Sequence, residues 1–167
     1  MAGKLARSWA HLLSDSRSVR RVFDDDLLAR IEAAITSSER AHSAEVRVAI
    51  EASLPIGQVW RGRTPRERAL EVFGALGVWD TAANNGVLLY VLWADHAVEI
   101  VADRAAAAAI LPARWREVCG ALAAACRAGD FATGTMAAIE RIDQLLIEAF
   151  PRVDGDTDEL PNRPAIL

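Results

Sequence analysis

The sequence holds few of the residues on which most catalytic motifs depend. Its 167 residues include two cysteines, three histidines and one tyrosine. The histidines, His11, His42 and His96, lie far apart, and the chain has neither an HExxH pair nor a CxxC pair. It also lacks a glycine-rich phosphate loop, a serine in a nucleophile elbow and the cysteine–arginine cradle of phosphatases. These absences argue against nucleophilic catalysis and zinc chemistry, and they leave oxygen ligands as the candidates for a site.

Long hydrophobic runs are absent as well. The longest apolar runs are the length of one strand or are interrupted by charge, so none is expected to cross a membrane. The first residues do not form the apolar core of a signal peptide, because Arg7, His11 and Asp15 interrupt them. We therefore expect no transmembrane segment and a cytoplasmic location.

The two cysteines, Cys119 and Cys126, are seven residues apart in one predicted helix. Their Cα atoms would then lie about 10 Å apart, which is too far for a disulfide. Both fall on the apolar stripe of that helix, so we predict buried thiols. Reduced cysteines are typical of a reducing compartment.

Charge is divided unevenly along the chain. The formal net charge is −4. Residues 1–23 hold five basic residues against one aspartate, a net charge of +4, which leaves −8 for the rest of the chain. The acidic body argues against nonspecific binding of nucleic acid, whereas the basic arm suits an anionic surface.

The basic N-terminal arm, residues 1–23, has a helical pattern. Its apolar residues recur at helical spacing and are Leu5, Trp9, Leu12 and Leu13. Such a helix either binds a membrane surface or a partner, or packs on the domain that follows it. The sequence leaves both interpretations open.

Residues 79–104 carry the clearest strand signals of the chain. A polar loop, residues 80–85, leads into a nearly continuous apolar run, residues 87–93. A turn at Asp95 and His96 precedes a second strand. The pattern predicts a hairpin whose first strand is covered on both faces.

A further strand precedes the hairpin. Residues 45–52 alternate between apolar and polar, which is typical of a half-buried strand. A helix with a strong start signal follows: Thr64 is a cap, Pro65 suits the first helical position, and Glu67 completes a capping box. Because a helix connects them, this strand and the first hairpin strand should be parallel, through a right-handed crossover.

Several short motifs occur in the order and spacing of one protein family. They are Glu45-Val46-Arg47-Val48, Glu71-Val72-Phe73, Asn84-Asn85-Gly86-Val87-Leu88-Leu89 and Gly129-Asp130-Phe131 before an apolar helix. Over residues 24–150 the chain therefore resembles the TPM family, the domain of thylakoid-lumen acid phosphatases, photosystem-repair proteins and a nematode receptor modulator. The resemblance implies an α/β fold, a three-layer α/β/α sandwich with a small mixed sheet. Many members have a glycine-rich segment where this chain has Asp103-Arg104-Ala105, so we carry over no backbone-mediated binding there.

We expect three parts in the chain: the basic arm at residues 1–23, the TPM-like domain at 24–151 and an acidic tail at 152–167. The tail has aspartates at the spacing that opens an EF-hand loop, Asp154, Asp156 and Asp158. The match fails, because Glu159 and Ala165 stand where that loop needs glycine and glutamate. We interpret the tail as flexible, with an apolar end, Ile166 and Leu167, that is free to dock.

The predicted connectivity brings oxygen ligands to one end of the sheet. The two parallel strands begin there and the third strand ends there, so we expect five residues to meet: Glu45, Asp80, Asn84, Asn85 and Asp103. Carboxylate and amide oxygens suit Ca²⁺ or Mg²⁺. The resemblance implies the same, since TPM domains bind divalent cations and the Asn84-Asn85 position matches the family's loop. The alternative is that Asn84 and Asn85 only shape the turn before Gly86.

The opposite end of the sheet offers a second polar group. Glu51, Asp95 and His96 lie at strand ends there, and Arg61 and Arg63 belong to a neighbouring loop. In open α/β sheets ligands bind beyond the carboxyl ends of parallel strands. Since only one parallel pair is predicted, we interpret His96 as a turn residue and the arginines as part of a solvated loop.

Two functions are compatible with these residues. The first is a noncatalytic module that binds a divalent cation and supports a membrane-linked or stress-linked complex through a protein partner. The second, which the resemblance implies, is a metal-dependent acid-phosphatase-like hydrolase. Its ion would be held by Asp80, Asn84, Asn85 and Asp103 and would polarise a phosphoryl oxygen. We favour the module, because the sequence shows no nucleophile or base in a defined geometry.

Overall fold

The computed structural model describes residues 2–153 and 157–167. In chain order the elements are α1 (Ala2–Leu13), α2 (Ser16–Val22), α3 (Asp25–Ser38), β1 (Val46–Glu51), α4 (Ile56–Trp60), α5 (Pro65–Ala75), β2 (Val87–Leu92), β3 (Ala97–Ala102), α6 (Arg104–Ala109), α7 (Pro112–Ala128), α8 (Phe131–Ala149) and β4 (Ala165–Ile166). A short 3₁₀ turn, Trp93–Asp95, joins β2 to β3. None of the helices in the described ranges is both long and apolar enough to cross a membrane.

The strands form one mixed sheet in the order β3-β2-β1-β4. β1 and β2 are parallel, with Val46 opposite Val87, whereas β2 and β3 are antiparallel, with Leu92 opposite Ala97. The segment that contains α4 and α5 links β1 to β2, which confirms the prediction that a helical connection joins two parallel strands. His96 ends the hairpin turn in the left-handed region, at a φ of 46°, so its interpretation as a turn residue is also confirmed.

Helices cover both faces of the sheet, as the apolar run of β2 predicts. Every residue of β2 is buried. Leu89 and Val91 pack in a cluster with α2, α3, α7 and α8, whereas Leu88 and Tyr90 pack with α4 and α5. Successive side chains of a strand point to opposite faces, so a strand between two helical layers must be apolar throughout. The layers are therefore α/β/α.

Helix boundaries follow the local signals. The capping box forms as predicted: Glu67 N donates to Thr64 Oγ1 at 3.2 Å, and Thr64 N donates to Glu67 Oε2 at 2.8 Å. Gly129 ends α7 with a φ of 82°. The cysteines of α7 are free thiols, Cys126 buried and Cys119 partly buried, and burial raises the pKa of Cys119 to about 11.

The basic arm is helical; Val19 and Phe23 at its end are buried in the core, but the apolar residues of α1 face outward. α1 packs against α4 and the 3₁₀ turn. The side that packs is polar, since Ser8 and His11 are buried and Arg7 donates to the carboxylate of Asp95. The apolar residues are 50% to 75% exposed and are Leu5, Trp9, Leu12 and Leu13. α1 therefore packs on the domain and still leaves its apolar face largely exposed among the described residues.

The tail contributes a strand that the sequence did not predict. Ala165 and Ile166 pair in parallel with Ala49 and Ile50 of β1. We expected a flexible tail, whereas this segment lies along the sheet and docks through its apolar end. Of the aspartates at EF-hand spacing, the first two, at positions 154 and 156, lie outside the described residues.

Candidate cation site

Two strand starts and one strand end meet at one end of the sheet, which we call the amino end. β1 and β2 begin there, and Val87 N donates to the carbonyl oxygen of Glu45 at 2.8 Å. β3 ends there, and Asp103 N donates to the carbonyl oxygen of Gly86 at 2.8 Å. The structure therefore brings together the loop before β1, the loop before β2 and the start of α6.

Three carboxylates lie together at the amino end and form what we call the carboxylate cluster. Glu39 follows the last turn of α3, Glu45 precedes β1, and Asp158 comes from the tail. One oxygen atom from each residue lies within 4.8 Å of the other two. Glu39 is 6% exposed and Glu45 is 3% exposed, whereas Asp158 faces solvent. An arrangement of this kind could hold a metal ion.

Burial and mutual repulsion oppose ionisation of the cluster. Burial, followed by the charges of Glu45 and Asp158, raises the pKa of Glu39 to about 8. Burial also raises the pKa of Glu45 to about 7, although backbone N–H groups of Glu159 and Leu160 donate to it. At neutral pH the cluster therefore holds either protons or a cation.

The hydrogen bonds around the cluster leave acceptor oxygens unused. Leu160 N donates to Glu45 Oε2 at 3.1 Å, and Asn162 Nδ2 donates to Asp158 Oδ2 at 3.0 Å. Glu39 Oε1 and Asn162 Oδ1 are buried and have no hydrogen-bond partner among the described residues. A buried acceptor without a donor costs about 1–3 kcal/mol, so these oxygens have unused capacity to accept a proton, a water or an ion.

The tail that completes the cluster is held by hydrogen bonds from two sides. Arg47 of β1 donates through Nη1 to the carbonyl oxygens of Pro161 and Arg163. From the loop before β2, Ala82 N donates to the carboxylate oxygens of Glu159 at 3.1 and 3.2 Å. The exposed member of the cluster therefore lies on a segment with a defined position.

The two asparagines of the predicted site have different roles. Asn84 has a φ of 53°, and its Oδ1 accepts from Arg104 Nη2 at 2.5 Å. Asn85 is buried, and its Nδ2 donates to the carbonyl oxygen of Ser43 at 2.7 Å. Its Oδ1 is buried and unpaired within the described ranges. Asn84 thus shapes the turn, while Asn85 keeps one acceptor for a ligand.

The two aspartates of the predicted site also differ in their surroundings. Asp103 Oδ1 accepts from Arg104 N at 2.7 Å and caps α6, while its Oδ2 is buried without a partner in the described part of the chain. Asp80 is exposed at the start of the loop. The predicted set is therefore divided: Glu45 lies in the carboxylate cluster, and Asn85 and Asp103, which we call the loop pair, each keep an unpaired oxygen.

The sequence analysis missed Glu39 and Asp158. Glu39 has the pattern of an ordinary residue at the end of a helix, and Asp158 drew attention only through its spacing to other aspartates. The sequence shows Arg47 between apolar residues of a strand that its alternation predicts to be half-buried. In the structure every position of β1 is buried, because the tail covers Arg47 and accepts its hydrogen bonds.

The opposite end of the sheet, which we call the carboxyl end, also holds carboxylates, but each has a cationic partner. Arg68 Nε donates to Glu51 Oε2 at 2.8 Å. Asp95 accepts from Arg7 Nη2 at 2.7 Å, and His11 Nε2 lies 3.1 Å from its other oxygen. This group joins α1 and α5 to the sheet and leaves little capacity for a further ligand.

Comparisons with known proteins place most of the chain in one family. The family model of the TPM domain matches residues 18–145. Among solved structures, the BA42 protein from the psychrophilic bacterium Bizionia argentinensis, determined by NMR, aligns with a TM-score of 0.75 and 28% sequence identity. That alignment covers 85% of this chain and 93% of the BA42 chain. The comparison with curated proteins gives no match. Helix α1 and Asp158 both lie outside the residues that the family model covers.

Proposed function

Because this chain belongs to the TPM domain family, we propose that it is a noncatalytic module that binds one divalent cation through its carboxylate cluster. In this proposal the ion joins Glu39, Glu45 and Asp158, and the loaded domain supports a membrane-linked or stress-linked complex through a protein partner. The observation that carries the proposal is the buried, unpaired Oε1 of Glu39 beside two further carboxylates.

The electrostatic surroundings of the cluster support a cation. The charges that raise the pKa of Glu39 are those of other carboxylates, Glu45 and Asp158. Those that act on Glu45 are Asp158 and Glu159. Buried charges are normally paired or coordinate a metal, because an isolated buried carboxylate is very costly. A divalent cation would offset the repulsion among the carboxylates of the cluster.

The ligand atoms favour Ca²⁺ over Mg²⁺. They come from three separate chain segments and are all oxygens, which suits a hard cation. Ca²⁺ accepts roughly six to eight oxygens in an irregular arrangement, whereas Mg²⁺ demands a near-ideal octahedron. The unpaired Oδ1 of Asn162 and water would supply further oxygens.

The burial of the cluster supports binding over catalysis. Glu39 and Glu45 are buried, and Asp158 is the exposed member. A hydrolase would need open positions on the ion for a phosphomonoester and a water, together with a placed base or nucleophile. A site in which two of three carboxylates are buried and the third comes from the tail is better suited to fixing the tail against the domain.

The loop pair offers a second position for the ion. Asn85 and Asp103 each keep a buried, unpaired oxygen, and they belong to the set that the sequence predicts with Glu45, Asp80 and Asn84. Two substitutions separate the positions. Asp158→Asn weakens binding if the ion lies in the cluster, and Asp103→Asn weakens it if the ion lies at the loop pair.

The test is a titration of chelator-stripped protein with Ca²⁺ and with Mg²⁺, followed by calorimetry and by amide NMR. We expect shifts at residues 39–46 and 157–162, and a loss of affinity of about tenfold or more in Asp158→Asn. Asp80→Asn is the matched control, since it removes an exposed carboxylate nearby. If no ion binds at millimolar concentration, the proposal fails.

An activity assay on the same samples tests the noncatalytic part. The loaded protein should not turn over a phosphomonoester at any ion concentration. Turnover that requires the ion and is lost in Asp158→Asn would replace the binding module with the hydrolase.

A further inference from the structure

α1 presents an apolar face to solvent. Leu5, Trp9, Leu12 and Leu13 are 50%, 63%, 60% and 75% exposed. They are spaced four, three and one residues apart, so they lie along one side of the helix. Single exposed apolar residues are ordinary on protein surfaces, but a contiguous group of this kind marks an interaction surface.

Polar contacts on the opposite side of α1 hold this face toward solvent. Ser8 and His11, on the other side of the helix, are buried. His11 Nδ1 accepts from Leu54 N at 2.9 Å, and Arg7 Nη2 donates to Asp95 at 2.7 Å. Rotation of α1 to bury its leucines would break these bonds and leave buried polar groups unpaired. The domain therefore holds the apolar face outward.

Exposed positive charge is concentrated in the chain segment that carries this face. Lys4 is exposed on α1, and the exposed basic residues of α2 are Arg17, Arg20 and Arg21. The arm carries +4 and the rest of the chain carries −8, so positive charge is concentrated where the apolar face is. An anionic surface would attract the arm and repel the body, which orients the molecule with α1 toward that surface.

We propose that α1 docks on an anionic phospholipid bilayer, with its apolar face at the level of the upper acyl chains and the arginines of α2 among the headgroups. Helices that lie in the membrane interface combine leucine and tryptophan on one face with basic residues. The arm has this composition. The combination of an exposed apolar face with basic residues suits the headgroups and acyl chains of an anionic bilayer, and a dimer of the chain is an outcome that the test below distinguishes. The proposal does not depend on the carboxylate cluster, which lies at the other end of the sheet.

The test is co-sedimentation of the full chain with vesicles of phosphatidylcholine alone and of phosphatidylcholine mixed with phosphatidylglycerol. The chain should bind the mixed vesicles and not the neutral ones. The double variant Trp9→Ala, Leu13→Ala should bind about tenfold or more weakly, because each side chain buries apolar area in the membrane. The matched control is Trp79→Ala, Leu111→Ala, which removes a tryptophan and a leucine that are 54% and 72% exposed elsewhere.

Charge and fluorescence provide two further readouts. Arg20→Glu, Arg21→Glu should abolish binding to the mixed vesicles while the thermal unfolding midpoint stays unchanged, since both residues are exposed. Mixed vesicles should shift the tryptophan emission of the wild type to the blue. Trp9→Phe should lose that shift and Trp79→Phe should keep it.

Three results would overturn the proposal. The first is a wild-type chain that stays in the supernatant with mixed vesicles. The second is equal binding by the Trp9, Leu13 double variant and its control. The third is a dimer in solution that dissociates in Leu13→Ala, which would assign the face to a second copy of the chain.

Discussion

The two ends of the sheet hold the same kind of residue in opposite electrostatic surroundings. At the carboxyl end, Glu51 is buried and accepts from Arg68, and Tyr90 donates to it from its hydroxyl at 2.6 Å. At the amino end, Glu39 and Glu45 are equally buried, but the charges around them are those of other carboxylates. Among the described residues, arginines pair with the carboxylates of the carboxyl end, whereas the charges that act on Glu39 and Glu45 are those of other carboxylates.

The pKa values of the carboxylates also differ between the two ends, being lowered at Asp95 and raised at Glu39. Burial works to raise the pKa of Asp95, but hydrogen bonds from Arg7 and the charge of His11 outweigh it and hold the pKa below its usual range. Burial, together with the charges of Glu45 and Asp158, raises the pKa of Glu39 to about 8, because the hydrogen bonds from Val46 and Asn162 do not outweigh it. A buried carboxylate is thus structural where an arginine neutralises it, and a candidate ligand where solution must supply the counter-charge.

The two ends of the chain complete the two ends of the sheet. The basic arm contributes Arg7 and His11 to the carboxyl end, where they meet Asp95. The acidic tail contributes Asp158 to the amino end, where it adds a third negative charge. Among the described residues, the basic arm therefore adds cationic partners at the carboxyl end, and the acidic tail adds negative charge at the amino end.

The largest expected difference between the two ends is in stability. Glu51→Gln removes the charge that pairs with Arg68 and should lower the free energy of unfolding by about 3 kcal/mol. Glu39→Gln in the presence of chelator should be neutral or raise it by about 1 kcal/mol, since it relieves repulsion. Urea unfolding of both variants measures the contrast. Equal losses would mean that the amino end is neutralised as well.

Calcium should act at the amino end alone. At about one hundred times its Kd, Ca²⁺ should raise the free energy of unfolding by about 2.7 kcal/mol, because it binds the folded state. The same increment should appear in Glu51→Gln and be lost in Asp158→Asn. Urea unfolding with and without Ca²⁺ is the measurement. If the Ca²⁺-dependent increase in the free energy of unfolding is kept in Asp158→Asn but lost in Asp103→Asn, the ion binds at the loop pair.

The two ends should also respond oppositely to pH. The pKa of Glu39 is raised to about 8 and that of Glu45 to about 7, so between about pH 5 and about pH 8 the folded state binds more protons than the unfolded state. Chelator-treated protein should therefore lose several kcal/mol of stability as the pH rises through that window. The pKa of Asp95 is lowered, so its contribution is present at neutral pH and is lost as the pH falls below the unfolded value.

Urea unfolding across the pH range measures both effects. Glu39→Gln should flatten the fall toward pH 8 and leave the loss in acid unchanged. If the free energy of unfolding of the chelator-treated wild type rises between pH 5 and pH 8, the raised pKa values of Glu39 and Glu45 are contradicted.

The smallest effect is expected at Asp80, which is exposed. Asp80→Asn should change the free energy of unfolding by no more than about 0.5 kcal/mol and should leave Ca²⁺ affinity unaltered. Calorimetric titration of this variant beside Asp158→Asn gives the comparison. A marked loss of affinity would restore Asp80 to the ligand set that the sequence predicts.

Much of the fold follows from signals within a few residues of each other. Thr64 and Glu67 mark a helix start, and the apolar run of β2 requires cover on both faces. The connectivity then places Glu45, Asn85 and Asp103 at the same end of the sheet, since strand direction follows from the helix between the strands. Those parts could be predicted because hydrophobic periodicity and capping act locally.

The carboxylate cluster and the outward face of α1 could not be predicted in this way. Asp158 reaches the cluster because the tail adds a strand to β1 and Arg47 binds its carbonyl oxygens, across more than a hundred residues of sequence. The amphipathic pattern of α1 predicts a helix, but its orientation depends on Arg7 meeting Asp95, which lies 88 residues away. Long-range hydrogen bonds and charge pairs exist only once the chain has folded, so they leave no periodic signal in the sequence.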